Sequence, residues 1–356
     1  MTKVLIVTSE LISSGPNNVI KSLVKGLSKK NIETYLTSLR IGGDSKFIKS
    51  LSLPIERVFS QEGNISLIHL FMILRKVRPD IVNSHGIRSD LFLLLLAPFF
   101  NLKVVSTIHN VPNEDYLFRY GKIVGTLMLF IHSLVFKSKR IHKVAVSQHV
   151  KNNLIRLGGV NISVVYNGVI IDDFSIKKAD LSDTLCKQYG FRKNSTKVIF
   201  CGHLTPLKDP LIVANSANSF PNFDFIFLGS GPLSHDLTNI GDNVFPIGRV
   251  NNVSDFLSIS DVYVMPSHTE GMPMALIEAM LMDLPVLSSD IPIFIELSKI
   301  RNIQLVNFKV KNTNDFCSNL NKISTNYNCG NRDIAMQYFS ADAMAVNYLK
   351  VFENVC

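Results

Sequence analysis

Short apolar runs alternate with helix-patterned stretches along this chain, and that alternation restricts it to one class of fold. The runs at 4–8, 34–39, 81–84, 104–108, 143–146 and 163–166 read as strands buried on both faces, the kind found in parallel sheets. Helical stretches, including 19–29, 67–77 and 148–157, separate them. A second set of strands, at 197–201, 224–228, 243–246, 261–265, 286–288 and 304–306, repeats the pattern. The expectation is an α/β protein built as two doubly wound parallel-sheet halves in series, with the polar stretch 172–196 connecting them.

A chain of 356 residues is long enough for two such cores. Apolar residues make up 46% and charged ones 18%, which excludes a disordered chain. The five cysteines (Cys186, Cys201, Cys317, Cys329 and Cys356) are scattered, and no pair has metal-ligand spacing. The opening MTKVLIVTSE lacks the shape of a signal peptide, and no uninterrupted apolar run reaches the roughly 18 residues of a membrane span. A reduced, cytoplasmic protein is expected.

The charge is uneven. Residues 1–170 hold 22 Lys and Arg against 9 Asp and Glu, a net of +13; residues 171–356 hold 15 against 19, a net of −4. A basic front half points to an anionic surface or substrate. The basic residues form no recognisable nucleic-acid module, so an anionic membrane leaflet or a pyrophosphate-linked lipid is the better match. Two apolar stretches bear on this. Residues 91–100 (LFLLLLAPFF) are too few to span a bilayer and read as a buried helix. Residues 123–136 are flanked by Arg119 and Lys122 on one side and Lys137, Lys139, Arg140 and Lys143 on the other. They fit either a helix lying on an anionic membrane surface or a core helix with solvated ends.

The segment 268–280 (HTEGMPMALIEAM) carries the chemistry. It follows the strand at 261–265 and runs into a helix expected at 275–282, with Pro273 near the first helical position. Glu270 then lies in the strand-to-helix turn and Glu278 about a turn inside the helix. A carboxylate beside the free N–H groups of a helix N-terminus suits a ligand with a phosphate and polar groups, and Glu278 can accept two hydrogen bonds from a vicinal diol such as a ribose. That describes a nucleotide-sugar site. The same residues also fit a buried helix whose glutamates only cap and solubilise it.

Further stretches, taken in order, resemble the retaining glycosyltransferases of GT-B architecture, family four, over essentially the whole chain. Ser14-Gly15-Pro16-Asn17-Asn18 opens a helix after the first strand, like the family's glycine-rich donor loop. His85 (NSHGIRSD) and His109 (STIHN) each end a strand. Tyr166-Asn167-Gly168-Val169 resembles the interdomain segment, and Gly229-Ser230-Gly231-Pro232 the next glycine turn. Ile247-Gly248-Arg249-Val250 matches the loop framing the base, and the segment from Phe339 matches a tail helix that crosses back onto the first domain. Cys201-Gly202-His203-Leu204 with Lys208 stands where the family shows Gly-Arg-Leu and a downstream lysine; the lysine matches, and His203 replaces the arginine.

The resemblance implies two Rossmann-like domains about a cleft: 1–170 with 340–356 for the acceptor, and 171–339 for the nucleotide-sugar. It implies transfer of a sugar, with retained configuration, from a nucleoside-diphosphate donor (UDP favoured, GDP open) to a hydroxyl of a lipid-linked or free saccharide in O-antigen or capsule assembly. His109, Lys208 and Glu270 become the catalytic candidates. Gly15, Pro16, Gly202, His203, Gly229, Gly231, Arg249, Gly271, Met272, Pro273, Met274 and Glu278 join Lys208 and Glu270 in binding the donor. No metal or other cofactor is implied, and no nucleic acid; a membrane surface is the further partner. A nucleotide-sugar epimerase of the same fold and a degenerate transferase acting as a scaffold remain as alternatives.

Overall fold

The computed structural model describes residues 2–51, 53–61, 66–174, 179–325 and 330–355. They form two compact units, Met1–Ile170 with Tyr338–Cys356, and Ile171–Gln337.

The first unit is a seven-stranded sheet: β1 (Lys3–Thr8), β2 (Glu33–Ile41), β3 (Val58–Gln61), β4 (Ile81–His85), β5 (Lys103–Ile108), β6 (Ile141–Ala145) and β7 (Ile162–Val164), in the order β3-β2-β1-β4-β5-β6-β7. Every pairing is parallel, and the register sets Thr8 beside His85 and His85 beside Thr107. Parallel pairing demands helical crossovers that cover both faces, which is why β1, β4 and β5 are almost wholly buried. Leu5, Val7, Val82 and Val104 form a core with Leu70, Leu93 and Val135 from the helices.

Helix Ala341–Val355, the end of the chain, also belongs to this unit and lies against helix Gly15–Ser28. A side chain at Gly26 would come within 2.4 Å of the Ala341 carbonyl oxygen, so the two helices meet backbone to backbone.

The second unit repeats the winding with six strands: β8 (Thr196–Cys201), β9 (Phe223–Leu228), β10 (Val244–Gly248), β11 (Val262–Met265), β12 (Val286–Ser289) and β13 (Leu305–Phe308), in the order β10-β9-β8-β11-β12-β13. All are parallel. Phe200, Phe225, Phe227, Val264, Phe308 and Phe316 fill one side of the sheet.

Two expectations need correction, and a third stretch proves to be part of a longer element. The stretch 172–196 is more than a connection: it contains helix Ala179–Tyr189, whose Leu185 and Cys186 are buried, and Arg192 Nε donates to the buried Asp224 at 2.8 Å. Its polarity belongs to the outward face. The helix expected at 91–100 runs from Ile87 to Phe100 and is not wholly buried; Leu95 and Phe99 are 59% and 81% exposed. The apolar stretch 123–136 lies inside a longer helical segment, Pro112–Lys137, broken at Gly121, where φ is 74°. By length and composition this segment could cross a membrane. At about 1.5 Å per residue, though, the part after the break reaches roughly 24 Å, short of the ~30 Å hydrocarbon core.

Candidate active site

In an open parallel sheet, ligands gather beyond the carboxyl ends of the strands where the strand order reverses. In the second unit that point lies between β8 and β11. β8 leads into the loop of Gly202, His203 and Lys208; β11 leads into Ser267, Glu270 and helix Met274–Leu281. The topology therefore unites Lys208 and Glu270, which are 62 residues apart. Lys208 Nζ donates to Glu270 Oε1, and Ser267 Oγ donates to the same oxygen at 2.8 Å. Both side chains are largely enclosed, at 25% and 9% exposure, so the pairing is less screened than a surface ion pair.

Other bonds hold the two loops in place. The His268 backbone N–H donates to the Leu207 carbonyl at 2.8 Å, and His268 Nε2 lies 3.0 Å from Asp209 Oδ2. Ser289 Oγ, from the end of β12, donates to the Ser267 carbonyl at 2.5 Å. Among the described residues, nothing donates to Glu270 Oε2, which leaves one carboxylate oxygen for a ligand hydroxyl.

The helix after this loop starts at Met274, one residue earlier than expected, which puts Pro273 at the N-cap, directly before the first helical residue. Proline offers no side-chain cap, and the amides of the first turn keep their hydrogen-bonding capacity. Glu278 follows on this helix, half-buried. Burial first, and then the nearby charge of Glu278, pushes the Cys201 thiol well up. The Tyr263 phenol is raised in the same way by burial, then by Cys201, Glu278 and Glu270. Both glutamates thus bear on the buried Tyr263 in the centre of β11. Gly271, Met272 and Pro273 are buried, and Met274 is half-buried.

The glycines divide into two kinds. A Cβ on Gly229, where φ is 134°, would lie 1.8 Å from the Gly202 carbonyl oxygen; one on Gly231 would lie 2.3 Å from that of Leu204. Their first duty is to let these two loops touch, as the Leu204 N–H to Ser230 carbonyl bond at 3.1 Å shows. Gly15 meets nothing within 4 Å and begins helix Gly15–Ser28 together with Pro16. Its neighbour Asn17, buried, closes the preceding loop by donating to the Glu10 and Ile12 carbonyls at 2.8 Å each. His203 and Arg249 are exposed. Among the described residues, no three His, Cys, Asp or Glu side chains gather to hold a metal ion.

In the first unit the strand order reverses between β1 and β4. His85 ends β4, and His109 follows β5; His85 Nδ1 and His109 Nε2 are 2.8 Å apart. His85 is 3% exposed, and burial holds it well below the usual histidine range, helped by His109. Burial likewise lowers His109, to about 4, with Asp90 opposing. Both rings are therefore neutral near pH 7, where a histidine exchanges hydrogen bonds without carrying fixed charge.

Comparison with known proteins matches this architecture in two consecutive parts. The profile for Glycosyltransferase Family 4 fits residues 13–173, and that for Glycosyl transferases group 1 fits residues 182–335. The chain belongs to the GT-B glycosyltransferases of family four. Relatives of this family-four enzyme include an O-antigen biosynthesis glycosyltransferase, WclY, of Escherichia coli, 26% identical over 99% of this chain and 98% of its own. Another from Escherichia coli, a UDP-Gal:alpha-D-GlcNAc-diphosphoundecaprenol alpha-1,3-galactosyltransferase, is 30% identical over 64% of this chain and 62% of its own. Among solved structures, Anabaena Alr3699/HepE in complex with UDP-glucose superposes with a TM-score of 0.83 over 99% of this chain and all of its own, at 16% identity, a likeness of fold.

Proposed function

We propose that this glycosyltransferase moves a sugar from a nucleoside-diphosphate donor, with UDP as the favoured carrier, to a hydroxyl of a lipid-linked saccharide in bacterial O-antigen or capsule assembly, with retention at the anomeric carbon. The observation that carries this reading is the Lys208–Glu270 pair at the β8/β11 reversal, with Glu278 on the helix that follows. The names of the relatives support it: one acts from UDP-Gal on a diphosphoundecaprenol-linked sugar, and another serves O-antigen synthesis.

In this reading Glu278 receives the two ribose hydroxyls and Glu270 Oε2 a hydroxyl of the donor sugar. As the bond from the anomeric carbon to the diphosphate breaks, negative charge grows on the leaving oxygen. Lys208 and the amides near Pro273 face that charge. The acceptor oxygen bonds to the anomeric carbon from the same face, and its proton passes to the departing diphosphate. Lys208 does alone, as a point charge, what an arginine and a lysine together do elsewhere in the family, because His203 stands in the arginine's place. The reading involves no metal ion, so turnover persists in EDTA.

The acceptor's lipid points to a membrane. Helix Pro112–Lys137 exposes Phe118, Ile123, Leu127 and Phe130, at 51% to 87%, and the neighbouring helix exposes Leu95 and Phe99. Arg119, Lys122, Lys137 and Lys139 are exposed in or next to the same segment, a composition that suits an interfacial helix on anionic lipid. The test is a transfer assay with UDP- and GDP-sugars and an undecaprenyl-diphosphate-linked sugar in vesicles containing phosphatidylglycerol. Retained anomeric configuration in the product, read by the proton coupling of the new linkage, and co-sedimentation with the vesicles are expected. Inverted product, or full activity on free sugars without vesicle binding, contradicts the reading.

A further inference from the structure

The first unit contains a chain of hydrogen bonds that decides which proton His109 carries. It begins at Tyr348, 1% exposed on the C-terminal helix, whose hydroxyl is 2.8 Å from Thr107 Oγ1. Asn83 Nδ2 donates to that Thr107 oxygen at 3.0 Å and to the Val105 carbonyl at 3.1 Å. A carbonyl only accepts, so the Asn83 amide cannot be turned round. Its Oδ1 must then accept from His85 Nε2, 2.9 Å away. A neutral His85 protonated at Nε2 has a bare Nδ1. Facing it at 2.8 Å, His109 Nε2 has to donate. His109 is thereby left with a lone pair on its outer nitrogen, and among the described residues no group donates to it.

We propose that Asn83 and His85 are positioning residues that lock His109 in the Nε2–H tautomer, so that its Nδ1 is an obligate hydrogen-bond acceptor for a substrate hydroxyl. The proposal rests on the reading that His109 touches substrate. An acceptor-only nitrogen selects a hydroxyl and turns away a ligand atom that can only accept, such as a carbonyl or an ether oxygen. It also separates the two histidines: His109 alone meets the ligand, and His85 acts through it.

The test is nitrogen-15 spectroscopy of the full-length, ligand-free protein, which distinguishes a protonated ring nitrogen from a bare one. In wild type, His109 is expected to show a bare Nδ1 and a protonated Nε2. The Asn83→Asp variant replaces the amide by a carboxylate, which favours a doubly protonated His85. Its Nδ1–H then donates, and His109 reverses to the Nδ1–H form. Turnover from the UDP- or GDP-sugar that the wild type uses should fall roughly tenfold in kcat/KM, as when a hydrogen bond to the substrate is lost. A protonated His109 Nδ1 in wild type overturns the proposal, and this spectrum suffices if the variant does not fold. A reversed ring with unchanged turnover also overturns it. That outcome places His109 away from the substrate while leaving the Lys208–Glu270 reading intact.

Discussion

Lys208 is bound to Glu270, and in the proposed mechanism its charge faces the departing diphosphate. Removing it takes away electrostatic stabilisation and strands a carboxylate that is 9% exposed. Lys208→Ala is expected to lower kcat by about 100- to 1,000-fold, the scale for losing one preorganised charge-stabilising donor. Lys208→Arg, which keeps the charge but not the compact ammonium, should fall in between. A loss of less than about fivefold in steady-state kinetics would exclude the proposed role. None of this pairing was readable from spacing. Glu270 and Lys208 were legible as separate motif residues, but only the strand order brings them together. Ser267 and Tyr263, which complete the surroundings, looked like ordinary members of a loop and a buried strand.

The buried histidines make a second prediction at this scale, with a defined sign. His85 and His109 are harder to protonate in the fold than in the unfolded chain, where histidine titrates near pH 6.5. Below that pH the unfolded state binds more protons, so their contribution is present above about pH 6.5 and is lost as pH falls toward His109's value of about 4. Urea denaturation should show a lower midpoint at about pH 5 than at about pH 7.5. Replacing both histidines by asparagine should shrink that difference, and an unchanged difference would contradict the burial argument.

Among elements, the loops after β8 and β9 depend on two glycines for their contact. Gly229→Ala sets a Cβ against the Gly202 carbonyl and strains a positive φ, and should cost about 3 kcal/mol or more in denaturant melts. Gly15→Ala, with nothing within 4 Å, should change stability by less than ~0.5 kcal/mol. Any loss of donor affinity there would report the ligand alone, whereas equal destabilisation of both variants would refute this division. The strands were legible because burial on both faces leaves unbroken apolar runs. β3 (VFSQ) was not, since an edge strand needs only one apolar face. Helix Ala179–Tyr189 was hidden by its polar outer side, and the break at Gly121 by an apolar pattern that continues across it.

For the molecule as a whole, the repeated reversal of strand order follows from two series of crossovers, so both units present a reversal point on the carboxyl edge of a sheet. The charge is divided between them, with the basic excess in residues 1–170. Family, fold and the second unit's motif set were legible because loop chemistry recurs at fixed places between strands. The donor's sugar was not, since it is set by the three-dimensional shape of a pocket, which residue spacing does not carry. The most direct test of the central claim is calorimetric titration of wild type and Glu278→Ala with UDP and with GDP, in EDTA. Micromolar binding of one nucleotide, UDP by preference, that Glu278→Ala abolishes is the result predicted. Binding of neither nucleotide, or binding that survives in Glu278→Ala, would contradict it.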